Sequence, residues 1–322
     1  MARFCLTDSL FRPTTMVVCL WIVESCLLVT VTVAQEPNAK DSVAQETREQ
    51  YALILVGLPG DQEHELLFRS ILDDWETWLT ESLQFSKENI TVLSDHDAAD
   101  VGRMPATRDN VRTAVGRLND AVGPRDTLWF FYLGHANYDG RRAWLHLPGP
   151  DMNDMELAEL FSGVKCRDQV FWLTNTCSGW FLKPLSREGR IVITATEADN
   201  EFNETEFPAA LASVTRQAVT EMDINGDSRI SLAELFVAIS HQVEARFASD
   251  KRAPTEHAQL DDNGDGRGTE AGELAEPDTA IPTAKGVPAS LRRDGARASA
   301  VLLPWSIETD ESGSSESGSS DE

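Results

Sequence analysis

Five short apolar runs, each separated from the next by a stretch of helical pattern, constrain this chain more than any other feature. They are Tyr51-Ala52-Leu53-Ile54-Leu55-Val56, Asn89-Ile90-Thr91-Val92-Leu93, Asp126 to Tyr132, Gln169-Val170-Phe171-Trp172-Leu173, and Arg190-Ile191-Val192-Ile193-Thr194-Ala195. Apolar runs this short read as strands buried on both faces. Helices are predicted from about His64 to Leu83, from a Thr107-Arg108-Asp109 cap to about Asp120, and over Leu157 to Phe161. Buried strands alternating with helices make a parallel, doubly wound α/β sheet. In such sheets functional side chains gather just past the carboxyl ends of the strands. His135 and Cys177 both stand there, in Gly134-His135-Ala136-Asn137 and Asn175-Thr176-Cys177-Ser178-Gly179.

That pairing carries chemistry. A thiol attacks as its thiolate, so an imidazole must share or take its proton. Backbone N–H groups must face the oxyanion that develops. Cys177 is the candidate nucleophile and His135 the candidate base, with the amides of Ala136 and Cys177 as candidate oxyanion donors. A Cys166–Cys177 disulfide and a buried, inert thiol are the alternatives. His64, His96, His146, His241 and His257 have no comparable context.

The segments Trp129-Phe130-Phe131-Tyr132-Leu133-Gly134-His135 and Phe171-Trp172-Leu173-Thr174-Asn175-Thr176-Cys177-Ser178-Gly179 resemble the legumain family of caspase-like cysteine peptidases, as does Ile191 to Glu201. The resemblance covers about residues 51–210. It implies a caspase-like three-layer α/β/α sandwich with a mostly parallel sheet, and hydrolysis of peptide bonds through a Cys-His dyad and an acyl-enzyme. An inactive scaffold with the same fold, or a transpeptidase, are the alternatives. Ala136 stands where the family has glycine, and Gly57-Leu58-Pro59-Gly60 lacks the family's asparagine. Glu63-His64 replaces an Arg-His pair that helps read the substrate, so Glu63 and His64 are candidate pocket residues. Acidic Asp61, Glu63 and Glu65 point toward a basic residue at the cleavage site.

Asp223-Ile224-Asn225-Gly226-Asp227-Ser228-Arg229-Ile230-Ser231-Leu232-Ala233-Glu234 matches an EF-hand calcium loop at positions 1, 3, 5, 8, 9 and 12. Alternate oxygens from Asp223, Asn225, Asp227 and Ser231, the Arg229 carbonyl and a bidentate Glu234 would wrap a hard cation. Ser228 stands where glycine usually allows the turn. Flanking helices are predicted at Ala209–Glu221 and Leu232–Phe247. A second loop begins the same way, with Asp261, Asn263, Asp265 and Glu270 as candidate ligands, but it lacks an acid at position 12. Calcium is therefore the expected cofactor, in a small helical EF-hand-like region that follows the sheet.

The remaining segments frame this core. Residues 1–34 read as a signal peptide, with Arg3 and Arg12 before an apolar stretch from Met16 to Val33 that ends at Thr32-Val33-Ala34. An uncleaved anchor of about 18 residues is the alternative, which Glu24 opposes. The organisation expected is a linker over 35–49, a peptidase domain over 50–220 and an EF-hand-like region over 221–247. A loop-rich segment without regular structure then spans 248–297, an edge strand 298–306, and a Ser/Gly/acid tail 307–322. With 53 acidic against 28 basic residues, the net charge of −25 excludes binding to nucleic acid or anionic lipid through a basic surface. The expected partner is a peptide or protein substrate in an extracytoplasmic setting, with no membrane contact once the signal is removed.

Overall fold

The computed structural model describes residues 48–95, 103–274 and 293–306. The signal or anchor, most of the linker, His96, part of the 248–297 segment and the acidic tail lie outside them. Among the described residues no helix is long and apolar enough to cross a membrane.

The five apolar runs form β1 (Gln50–Val56), β2 (Ile90–Leu93), β3 (Thr127–Leu133), β7 (Asp168–Leu173) and β8 (Arg190–Thr194). A small three-stranded sheet intervenes after β3, made of β4 (Ala136–Tyr138), β5 (Ala143–Leu145) and β6 (Met152–Asn153). Later come β9 (Arg229–Ser231), β10 (Gln259–Asp261) and β11 (Leu302–Ser306). The central sheet has the order β10-β8-β7-β3-β1-β2, parallel throughout except for β10, which runs antiparallel beside β8.

Two segments differ from expectation. The 248–297 stretch supplies β10, so it contributes a strand to the main sheet. Residues 298–306 do not edge that sheet: β11 pairs antiparallel with β9 in a separate two-stranded sheet.

Alternation along the buried strands sorts side chains to two faces. Ala52, Ile54, Trp129, Phe131, Val170 and Trp172 pack with Phe68, Ile71, Leu72 and Trp75 of α1 (Gln62–Thr77). The same layer includes α5 (Phe207–Val214) and α6 (Leu232–Ser249). On the opposite face Leu53, Leu55, Phe130, Tyr132, Phe171 and Leu173 meet α2 (Arg108–Ala121), α3 (Asp154–Leu160) and α4 (Gly179–Leu185). The result is a three-layer α/β/α sandwich. Capping follows the sequence closely, since Asp61 accepts from the His64 N–H and Thr107 from the Asn110 N–H. The last helix, α7 (Ala296–Ala300), starts on Asp262, whose carboxylate accepts the N–H groups of Gly295 and Ala298.

The register levels the sheet at one end. Leu55 pairs with Tyr132, Tyr132 with Leu173, and Leu173 with Thr194. The loops that leave β1, β3, β7 and β8 therefore emerge side by side.

Candidate active site and acidic loops

The β3 and β7 exits are joined by one hydroxyl. Thr176 Oγ1 donates to the Ala136 carbonyl at 2.9 Å and accepts the Ala136 N–H at 3.3 Å. Both residues are 8 % exposed. The stitch holds the residue after His135 against the residue before Cys177. Tyr132 fixes the same turn from below, its buried hydroxyl lying 2.7 Å from the His135 carbonyl and 3.2 Å from that of His146. Gly134 is required by this packing, because a Cβ there would meet the Tyr132 hydroxyl at 2.7 Å.

His135 Nε2 lies 3.0 Å from the carbonyl oxygen of Pro59, at the exit of β1. A carbonyl only accepts, so Nε2 carries the hydrogen and Nδ1 is left as the basic nitrogen. The ring packs edge-on to His64 at 5.1 Å and against Phe68 at 5.6 Å. It faces a cleft of about 390 Å³ lined also by Glu63, His64, Thr176, Glu204 and Arg252.

Cys177 follows β7 in a left-handed turn, with φ of 57°, and leads directly into α4. A non-glycine residue held there stores roughly 1–2 kcal/mol of strain. Its surroundings over-determine the turn: Ser178 and Thr196 hydroxyls meet at 3.2 Å, and Gly179 N–H donates to Thr196 Oγ1 at 3.1 Å. A Cβ on Gly179 would sit 2.2 Å from the Glu197 backbone, so only glycine lets α4 start this close to the β8 exit. Cys177 is 2 % exposed. Burial pushes its thiol up, and a hydrogen bond from the Tyr138 backbone opposes that in part.

The structure thus brings His135, Glu63 and His64 to one cleft and Cys177 to the neighbouring turn. Among the described residues the thiol and the imidazole form no hydrogen bond, and Cys177 is not a wall of the His135 cleft. Both expected oxyanion donors are engaged by the fold: Ala136 N–H with Thr176 and Cys177 N–H with the Glu201 carbonyl at 3.4 Å. Of the three acids expected to attract a basic residue, only Glu63 lines the cleft. Asp61 is spent on capping α1 and on the His64 ring, and Glu65 faces Arg69 at 3.6 Å. Asp61, with Glu204 on the far side of the ring, holds the His64 imidazolium above its ordinary range. Cys166 and Cys177 are both free, which removes the disulfide alternative. Burial pushes the Cys166 thiol to about 11, a bystander's value.

One cluster had no signal in the sequence. Glu197, Glu201 and His257 each place a ligand atom within 4.8 Å of the others, a group that could hold a metal ion. Glu201 is nearly buried, accepts the N–H groups of Glu197 and His257, and pairs with the His257 ring. His257 belongs to the segment before β10, so only the antiparallel return of the chain brings it here.

The two acidic loops share one local geometry. In the first, Asp223 accepts from Gly226 and Ser228, Asn225 from Asp227, and Asp227 from Arg229. In the second, Asp261 accepts from Gly264 and Gly266, Asn263 from Asp265, and Asp265 from Arg267. The sixth residue of each has positive φ, 63° at Ser228 and 78° at Gly266. They differ at their ends. Glu234 turns back to accept the N–H groups of Ile224 and Asn225 at 3.2 and 3.3 Å, closing the first loop. In the second the acid comes from a segment distant in sequence: Asp294 accepts the N–H groups of Asp262 and Asn263 at 3.0 and 3.2 Å and the Thr269 hydroxyl at 2.7 Å, and Thr269 pairs with Leu260 through both backbone bonds. The helix entering the first loop is also shorter than expected. It ends at Val214, and a 3₁₀ turn over Val219–Glu221 fills the gap.

No protein-family model matches the chain, and no curated protein matches it. Among solved structures, the crystal structure of the Drosophila initiator caspase Dronc is similar over 69% of this chain and 82% of that one. The identity is 11% and the TM-score 0.42, a likeness that leaves the chemistry to be argued from the residues themselves.

Proposed function

We propose that this chain is an exported cysteine endopeptidase of the caspase-like, legumain-related kind. Cys177 is the nucleophile and His135 its base. The observation that carries the reading is the orientation of His135 by the Pro59 carbonyl, on a turn that Thr176 ties to the residue next to Cys177. A base held by an orienting group, beside a nucleophile on an adjacent strand end, is the arrangement nucleophilic catalysis requires.

In the proposed reaction the Cys177 Sγ–H proton passes to His135 Nδ1 and the thiolate attacks the scissile carbonyl carbon. The tetrahedral oxyanion displaces the long contacts now made by the Ala136 and Cys177 N–H groups. The C–N bond then breaks, His135 returns the proton to the leaving amine, and water hydrolyses the thioester with His135 again as base. Substrate binding must open the turn enough for the thiol to reach the cleft.

Calcium fits the first acidic loop. Its donors are hard oxygens only, and Glu234 already faces the interior of the loop. There Asp223, Asn225, Asp227, the Arg229 carbonyl, Ser231 and Glu234 would hold the ion, whose charge would stabilise the junction of β9 and α6. The second loop, with Asp261, Asn263, Asp265 and Glu270, is the weaker candidate because its closing acid, Asp294, comes from a distant segment and not from position 12 of the loop.

The buried thiol, which makes no hydrogen bond with His135 among the described residues, supports a second reading, an inactive scaffold with the same fold. A panel of thiol-directed peptidyl probes, applied with calcium and reductant and read by mass spectrometry, separates the two. The peptidase reading expects adducts on Cys177, none in Cys177→Ala, and far slower labelling in His135→Ala. Probes of every sequence leaving native Cys177 unmodified, while denatured protein reacts, would establish the scaffold.

A further inference from the structure

A second cleft, of about 750 Å³, lies on the other side of the Cys177 turn. Its size is that of a ligand site. Tyr138 and Trp180 form one wall, stacked at 3.9 Å with an interplanar angle of 2°. Each belongs to an element of the candidate site: Tyr138 follows His135 on β4, and Trp180 donates its N–H to the Cys177 carbonyl at 3.2 Å.

The charge of this cleft runs against that of the molecule. In a chain of net charge −25 it is lined by Arg141, Arg142, Lys183 and Arg267, against Asp154 and Glu197. Arg142 lies 3.6 Å from Asp154, which leaves Arg141, Lys183 and Arg267 exposed and without an ion pair among the described residues. The nearest acid on the hairpin, Asp139, is occupied by the N–H groups of Arg141 and Arg142 and by the Trp144 indole. The three cations come from three separate elements, the β4–β5 turn, α4 and the loop after β10, and converge on one concavity. Cations gathered with so few internal partners suit an external anion with several charges.

We propose that this cleft receives an acidic segment of the peptide substrate, adjacent to the scissile bond. Arg141, Lys183 and Arg267 pair with its carboxylates, and the Tyr138–Trp180 wall seats its backbone. The proposal takes the peptidase reading as given for the word substrate, but its binding test needs no turnover.

The test measures fluorescence anisotropy of the full chain carrying Cys177→Ala with a labelled peptide bearing four Asp, and with its Asn counterpart. Tight binding of the Asp peptide alone, weakening with salt, is the expected result. Reversal of Arg141, Lys183 and Arg267 to Glu should weaken it by about threefold per charge, roughly thirtyfold together. Lys87→Glu, distant from the cleft, should leave it unchanged. Should the triple reversal fail to fold, single Arg141→Gln and Arg267→Gln variants at these exposed positions give the same reading. Equal binding of Asp and Asn peptides, or an affinity indifferent to the reversals, overturns the proposal even when Cys177 labels normally. Acid-selective binding without Cys177 labelling overturns only the peptidase reading.

Discussion

Replacing Thr176 with valine isolates the stitch between the two strand exits. Valine keeps the shape and removes one oxygen, so the Ala136 carbonyl loses a 2.9 Å donor and the Ala136 N–H its 3.3 Å acceptor. Both residues are 8 % exposed, so water replaces these partners poorly. A buried donor left unsatisfied costs about 1–3 kcal/mol. For a folded unit of this size that lowers Tm by roughly 3–10 °C. Thr176→Ser is the control, since it keeps the hydroxyl and loses a methyl at a cost of about 1 kcal/mol. Differential scanning calorimetry of the three proteins gives the comparison. Alkylation of Cys177 by iodoacetamide gives the functional readout, and it should accelerate in the valine variant as the turn loosens. If valine and serine variants melt together and react alike, the hydroxyl does not join the two turns.

Three further outcomes are expected. Asp61→Asn keeps a competent cap on α1 but removes the main hydrogen bond that raises the His64 pKa, so NMR titration should place His64 lower while helicity is unchanged. Glu256 is buried and accepts the Glu206 and Phe207 N–H groups, and burial pushes its carboxyl up to about 8. Its folded pKa exceeds the unfolded one, so its contribution is full below about 4.5 and is lost as pH rises through about 8. Denaturant titrations should show that loss in the native protein and a flatter profile in Glu256→Gln. Ser228→Gly relieves a left-handed serine, so it should stabilise the protein by about 0.5–1 kcal/mol and tighten calcium binding measured by calorimetry. A destabilised variant would show that the Ser228 side chain matters more than its backbone angle.

Much of the fold was legible because burial on both faces writes itself as uninterrupted apolar runs. Tyr51–Val56 and Asp126–Tyr132 needed no partner to be recognised as strands, and the Thr107 cap is local. The His135 and Cys177 turns were legible for the same reason, since each follows such a run. What escaped depends on contacts distant in sequence. The strand Gln259–Asp261 is polar at both ends and is buried only because β8 offers an open edge. Helix α4 holds Gly179 at its start and Pro184 inside, which reads as loop until the β8 exit is packed against it. The hairpin of Ala143–Leu145 and Met152–Asn153 is too short to show a period. The engagement of the Ala136 and Cys177 amides arises from the Thr176 rotamer and the path of residues near Glu201, neither of which spacing encodes.

The placement of β11 has a consequence for how the molecule is made. β9 closes the first acidic loop, yet its pairing partner is the last strand described, with Leu303 opposite Ile230. The Leu232 N–H likewise donates to the Val301 carbonyl at 2.9 Å. During synthesis the loop emerges from the ribosome well before the strand that completes it. Parallel strands with distant partners already fold slowly. This pairing makes Leu302–Ser306 the keystone of the acidic loop, so a chain cut short before Leu302 would leave Ile230 uncovered and β9 with an open edge.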